Sequence, residues 1–186
     1  MLDASFSATM TDNSDGTYSH STTIARPGKI TVSIFRYAPG GAQFEYYANS
    51  GWSGLPDLIQ TEPEINFPWG SGVIFGTWGG ASSIRIYFRV KAPITGTVTF
   101  YLQGDYITNL EIEGVFIANS RYNVVPGDVD MVAGQFYEGF IDWYDLSNDA
   151  YIYLSWSYTG QTQIIIPQSS LYSPTHINSP MQITIG

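Results

Sequence analysis

A chain of 186 residues without cysteine can bury roughly 70% of its unfolded surface, so neither a disulfide nor a metal is needed to hold its core. A formal charge of −9, with seven lysines and arginines scattered along the chain, argues against a nucleic-acid partner. No apolar run approaches the ~18–20 residues of a membrane helix, so no membrane insertion is expected.

Charged residues are only 12% and tyrosine, at 14 copies, leads the aromatics, a composition that suits sheets facing solvent through hydroxyls. The opening residues MLDASFSATM have neither the basic nor the apolar region of a signal peptide. Phe6, Ala8 and Met10 alternate with serine and threonine as a short strand. Thr11–Gly16 gathers Asp, Asn and Gly into a turn, and Thr17–Thr23 follows as a second strand. Ala25-Arg26-Pro27-Gly28 breaks that strand, and the β-branched stretch Lys29–Phe35 forms a third.

Further strand-like runs recur with turns expected at Thr95-Gly96, Pro126-Gly127 and Thr159-Gly160, and no window shows a helical period. The clearest is Ala150–Tyr172, where Tyr151, Tyr153 and Ser155 alternate with Ile152, Leu154 and Trp156. After the turn, Gln163–Ile166 stops at Pro167, which has no N–H for a ladder. The fold class is therefore all-β.

Several blocks resemble the PA14 domain, a β-sandwich of bacterial toxins, yeast adhesins and some glycosidases. They are Gly41–Tyr47, Ile65–Gly72, Ser83–Tyr101, Leu110–Gly114, Gly134–Tyr144 and the closing hairpin ending in Ile166-Pro167-Gln168-Ser169-Ser170-Leu171-Tyr172. Ile86 and Phe88 depart from the family, which has Trp and Gly there, so the packing of that strand must differ. The two ends resemble something else. Asp12–Tyr18 followed by Pro27–Ile34 is similar to the second half of a filamin-type immunoglobulin repeat, with His20 and Thr22 as departures. His176–Ile185 resembles the last strand of that repeat, with Asn178 at its usual Gly.

The two resemblances together imply a PA14-like β-sandwich inserted in the last hairpin of a partial filamin-type immunoglobulin-like domain. Residues 1–36 and 175–186 would form the immunoglobulin-like part, and 37–174 the insert. Lys29–Phe35 should then pair antiparallel with Met181–Ile185. A flexible insert of that length would cost roughly 3 kcal/mol more closure entropy than a short turn. A folded insert with adjacent ends avoids most of that, and Pro39-Gly40-Gly41 and Ser173-Pro174 punctuate the junctions. The alternative is one sandwich with both ends as edge strands.

The chemistry points away from catalysis. With no cysteine, two histidines in the strand-like ends, and no nucleotide loop, nucleophile elbow or metal-ligand histidine spacing, no enzyme is expected. In the adhesin branch of the PA14 family, two adjacent aspartates hold a calcium ion that coordinates sugar hydroxyls. The resemblance places Asp105 at the first and Tyr106 at the second, with Ile107 where a glycine is usual. Asp105 is thus the candidate metal ligand, and calcium the one metal implied; the other reading of Asp105 is a simple turn residue. Asp128 and Asp130 alternate on one face and could add oxygens. The Gly-rich run Trp69–Trp78 offers Trp69 and Trp78 as rings to stack on a sugar, whereas Trp52, Trp143 and Trp156 suit the core.

The leading expectation is a non-enzymatic structural or adhesive module of a repetitive extracellular or cell-surface protein. Its partners would be other domains of the same protein, other copies forming a filament, or glycans. The alternative is a calcium-dependent carbohydrate-binding module. An incomplete immunoglobulin-like sheet would leave Phe6, Ala8, Met10, Ile30, Val32 and Ile34 needing cover from another polypeptide.

Overall fold

A computed structural model describes residues 11–12, 18–19, 28–32, 35–71, 73–75, 77–78, 81–146, 149–176 and 181–185. It divides into two compact units, one of Met1–Ile34 with Asn178–Gly186 and one of Phe35–Ile177. In the smaller unit, β1 (Thr11–Asp12) pairs with β2 (Tyr18–Ser19). β3 (Gly28–Val32) pairs antiparallel with the last strand of the chain, Met181–Ile185, in the register Ile30↔Ile183. The strand expected over Lys29–Phe35 is thus seen as Gly28–Val32, and Phe35 opens the next one. The side chains of Phe6, Ala8, Met10, His20, Thr22, Ile30, Val32 and Ile34 lie outside the described residues.

The larger unit opens with β4 (Phe35–Pro39), β5 (Ala42–Tyr47), β6 (Leu58–Glu62) and β7 (Asn66–Gly70). The short pair β8 (Val73–Ile74) and β9 (Thr77–Trp78) follows. Next come β10 (Ser82–Lys91), β11 (Gly96–Gly104), β12 (Ile107–Ile112), β13 (Val115–Ser120) and β14 (Val125–Met131). β15 (Phe136–Asp145), β16 (Ala150–Tyr158), β17 (Gln161–Ile165) and β18 (Leu171–His176) complete the unit, and β19 is Met181–Ile185. A single 3-10 turn at Gln168–Ser170 is the helical element among the described residues.

All pairings are antiparallel, and two sheets dominate. The eight-stranded sheet runs β13-β12-β15-β10-β18-β4, with β5 also on β10 and β6 beyond it. The five-stranded sheet runs β14-β11-β16-β17, with β7 also on β16. Each central strand therefore shares one edge between two partners placed end to end: β10 between β5 and β18, and β16 between β7 and β17. The expected junction residues Pro39 and Ser173-Pro174 lie inside the paired strands β4 and β18.

The strict alternation of β10 explains the core. Ile84, Ile86, Phe88 and Val90 are buried, while Arg85, Tyr87 and Arg89 face out. Ile141 and Trp143 from β15 lie in the same layer, packed with Val98, Phe100 and Leu102 of β11 and Ile152, Leu154 and Trp156 of β16. Two departures from the expected pattern have clear causes. Phe88 stands opposite Gly139, and a Cβ there would lie 2.2 Å from the Phe88 ring, so the missing side chain makes room for the ring. Pro126-Gly127, read as a turn, lies within β14. That strand is a sheet edge, where proline loses no ladder bond, and a Cβ on Gly127 would meet Ile117 at 2.4 Å.

Candidate functional site

The chain passes from the five-stranded to the eight-stranded sheet through Asp105-Tyr106, between β11 and β12. Gly104 permits the crossing, since a Cβ there would fall 1.9 Å from Thr108 Oγ1. Asp105 is only 2% exposed. Its Oδ1 accepts from Trp143 Nε1 (3.2 Å) on β15 and from the backbone N–H of Tyr151 (3.1 Å) on β16. Its own N–H donates to Tyr151 O at 3.2 Å. One carboxyl thus ties both sheets together at this end of the sandwich.

Burial pushes the Asp105 carboxyl up to about 7, and repulsion from the buried Asp145 carboxyl adds to that; the bonds from Tyr151 and Trp143 act in the opposite direction. Asp105 Oδ2 is buried with no N–H or O–H donor in reach. A proton on Asp105 lets it hydrogen-bond to the Asp145 carboxyl instead of repelling it, which adds to the upward shift that burial causes.

Calcium needs six to eight oxygens. Here Oδ1 of Asp105 is already engaged by two donors, the residue is closed to solvent, and Tyr106 supplies no carboxylate. Among the described residues no group of three or more His, Asp or Glu could hold a metal ion. Asp128 and Asp130 do not approach this end: they accept from Thr99 Oγ1 and Thr97 Oγ1, both at 2.7 Å, at the opposite end of β11. Asp105 and the buried Asp145 bring two carboxyls together here, short of the six to eight oxygens that calcium takes.

Trp69 reaches the same region from β7. It stacks on Phe67 (4.8 Å, 13°), meets Phe75 edge-on at 5.2 Å and tilts against Trp143 at 5.7 Å. Trp143 therefore links the two sequence candidates, Trp69 on one side and Asp105 on the other. Trp69 is a member of an aromatic cluster, with a ring face covered by Phe67. The side chain of Trp78 lies outside the described residues.

Above Asp105 the surface is a collar of aromatic rings and arginines. Tyr106 meets Tyr144 edge-on at 5.2 Å, and Tyr144 meets Trp52 at 5.6 Å. Arg121 lies over Tyr106 (5.0 Å) and Tyr122 (5.8 Å), and Arg85 over Trp52 (5.8 Å) and Tyr47 (5.9 Å). Trp52, Tyr106 and Tyr122 have φ values of 48°, 56° and 72°, a left-handed conformation that costs a non-glycine residue of order 1–3 kcal/mol and clusters at binding sites. Tertiary bonds hold Trp52 and Tyr122 so. Trp52 Nε1 donates to Ile84 O (3.2 Å), its N–H to Ser83 Oγ (3.1 Å), and Tyr122 N–H to Gly104 O (2.8 Å).

No sequence motif announces this collar. Trp52 reads as a core tryptophan, and Tyr122, Arg121 and Tyr144 carry no signal of their own. Only the bend after β11 and the loop from Ala48 to Asp57 bring them together.

The fold defines a class: the larger unit is an all-β sandwich similar in fold to a solved PA14 sugar-binding domain from an RTX adhesin. That likeness has a TM-score of 0.59 at 14% identity and covers 70% of this chain and 97% of that one. A solved anti-sigma factor domain-containing protein is similar at TM-score 0.69 and 26% identity, over 76% of this chain and 49% of that one. Among curated proteins, the anti-sigma-I factor RsgI3 of Acetivibrio thermocellus is 28% identical over 137 residues, 71% of this chain. The chain spans 21% of that relative's length. No protein-family profile matches the chain.

Proposed function

We propose that the larger unit is a non-catalytic carbohydrate-binding module of an extracellular or cell-surface protein, and that it binds sugar without calcium at Asp105. The observation that carries this reading is the collar, where Trp52, Tyr106 and Tyr122 hold left-handed backbones and present rings beside Arg85 and Arg121. Aromatic faces stack on the C–H faces of pyranose rings, and arginine supplies forked donors to hydroxyls. The sugar-binding adhesin domain of the same fold supports the reading. A glycosidase needs two carboxyls facing the bond it breaks, whereas Asp105 beneath the collar is shut away from solvent.

A second reading concerns the larger protein. The similarity to anti-sigma factors favours a place as one part of a larger, comparable protein, of which this chain would be the sugar-binding portion. The antiparallel pairing of β3 with β19 supports a smaller unit that belongs to a filamin-type immunoglobulin-like repeat carrying the sandwich in its last hairpin. Such repeats act as spacers, and other domains or copies of the same protein would complete the sheet.

The test is a glycan microarray probed with the labelled 186-residue chain. Signal on a defined glycan class, lost in Trp52→Ala and Tyr106→Ala, is the expected result. A chain that folds and binds no glycan above background overturns the reading.

A further inference from the structure

The outer face of the five-stranded sheet holds a depression of about 250 Å³, lined by Tyr101 and Gln103 of β11, Tyr153 and Ser155 of β16, and Gln163 and Ile165 of β17. Pockets that enclose a drug-sized ligand have roughly 300–1,000 Å³, so this one has room for about one pyranose ring. Its chemistry is narrow. The lining offers aromatic rings, amides, a hydroxyl and two aliphatic side chains, Val124 and Ile165, and no charged group. An ion has no partner there, and a purely apolar ligand would leave the amide oxygens of Gln103 and Gln163 facing it without a donor. The lining matches a solute that is hydroxyl-rich at its rim, apolar on its faces and uncharged.

The depression is also continuous with the collar. Tyr153 stacks with Tyr151 (5.7 Å, 27°), and Tyr151 OH donates to Tyr122 O at 3.2 Å. Gln103 Nε2 donates to the same Tyr122 carbonyl at 3.3 Å. Beside them Gln163 Nε2 donates to Ser155 Oγ (2.8 Å) and Tyr101 OH shares a hydrogen bond with Ser157 Oγ (3.0 Å), which fix the polar rim in place. A row of tyrosines thus runs from the loop end of the sandwich onto its flat face.

We infer that this face is an extended subsite for a neutral polysaccharide, so that the protein takes an internal stretch of several sugar units rather than a single terminal sugar. The inference rests on the carbohydrate-binding reading and adds where the chain lies and what charge it carries. A net charge of −9 opposes acidic glycans for the same reason that it opposes nucleic acid.

Calorimetry of the full chain with xylohexaose, cellohexaose and mannohexaose, each against its disaccharide, tests this. At least one hexasaccharide should bind tighter than its disaccharide by about tenfold or more, the size expected of a well-placed aromatic contact. Tyr153→Ala should erase that gain while leaving the disaccharide affinity unchanged. Gln163→Ala, at an exposed position, should reduce the gain without a folding defect, and Tyr87→Ala on the other sheet should change nothing. Equal affinity for long and short chains, or a gain that survives both Tyr153→Ala and Gln163→Ala, overturns the inference and leaves the carbohydrate-binding reading standing. Absence of binding to all three hexasaccharides also overturns it, and the microarray then decides the broader reading. Tighter binding of an acidic hexagalacturonate than of all three neutral probes would overturn the assignment of charge.

Discussion

Asp105 and Trp143 are joined across the end of the sandwich by a 3.2 Å hydrogen bond from the indole Nε1 to the carboxyl Oδ1. The carboxyl is held up at about 7 chiefly by burial, against an unfolded value of about 3.9. Between those values the folded chain binds the proton that the unfolded chain releases. The stabilising contribution is therefore complete below pH ~4 and is lost as pH rises through about 7, an effect of at most about 4 kcal/mol. Asp105→Asn keeps the acceptor for Trp143 and Tyr151 and puts an N–H₂ where the proton sits. It should melt higher than the natural chain at pH 8, with the difference closing toward pH 4, as followed by circular dichroism. Asp105→Ala should instead cost about 1–3 kcal/mol near pH 4, because the indole and amide donors are left buried without an acceptor, and the cost should shrink toward pH 8, where the natural chain has lost the contribution of its protonated carboxyl.

Phe88 and Gly139 form a size-matched pair at the centre of the eight-stranded sheet. Gly139→Ala forces its methyl into the ring and should cost about 1–3 kcal/mol. Phe88→Ala leaves a cavity and should cost about 3–5 kcal/mol. In the double variant the alanine methyl fills part of that cavity, so its cost should fall below the sum of the two. Urea melts of the four proteins measure the coupling, and strict additivity would contradict the pairing.

Trp69 belongs to the ring cluster of Phe44, Phe67, Phe75 and Trp143. Being only partly buried, it should cost roughly 2–4 kcal/mol on replacement by alanine, at or below the usual range for a core aromatic. The near-ultraviolet dichroism of the cluster should weaken with it, while the folded variant keeps its glycan affinity. Loss of glycan binding at unchanged stability would return Trp69 to the role of a sugar platform.

The strands were legible because alternation is local. Tyr151, Ile152, Tyr153 and Leu154 declare their two faces without reference to any other part of the chain, and the structure places them so. What the sequence hid depends on distant partners. Asp105 reads as a turn residue or a calcium ligand, and only an indole 38 positions away turns it into an internal latch. Pro126-Gly127 has the composition of a turn, yet β14 is an edge strand and β13 crowds Gly127, so both residues suit a strand there. The collar is the hardest case. Its rings come from separate segments, and the left-handed backbones of Trp52 and Tyr122 are held by bonds to Ser83, Ile84 and Gly104 rather than by their own preferences.

Calcium-independent glycan binding is tested most directly by affinity electrophoresis of the full chain through gels of soluble xylan, hydroxyethylcellulose and galactomannan, each run with calcium and with EDTA. The expected result is retardation in at least one neutral gel, to the same extent in both conditions. Retardation that requires calcium and disappears in Asp105→Ala, or none in any gel, would contradict it.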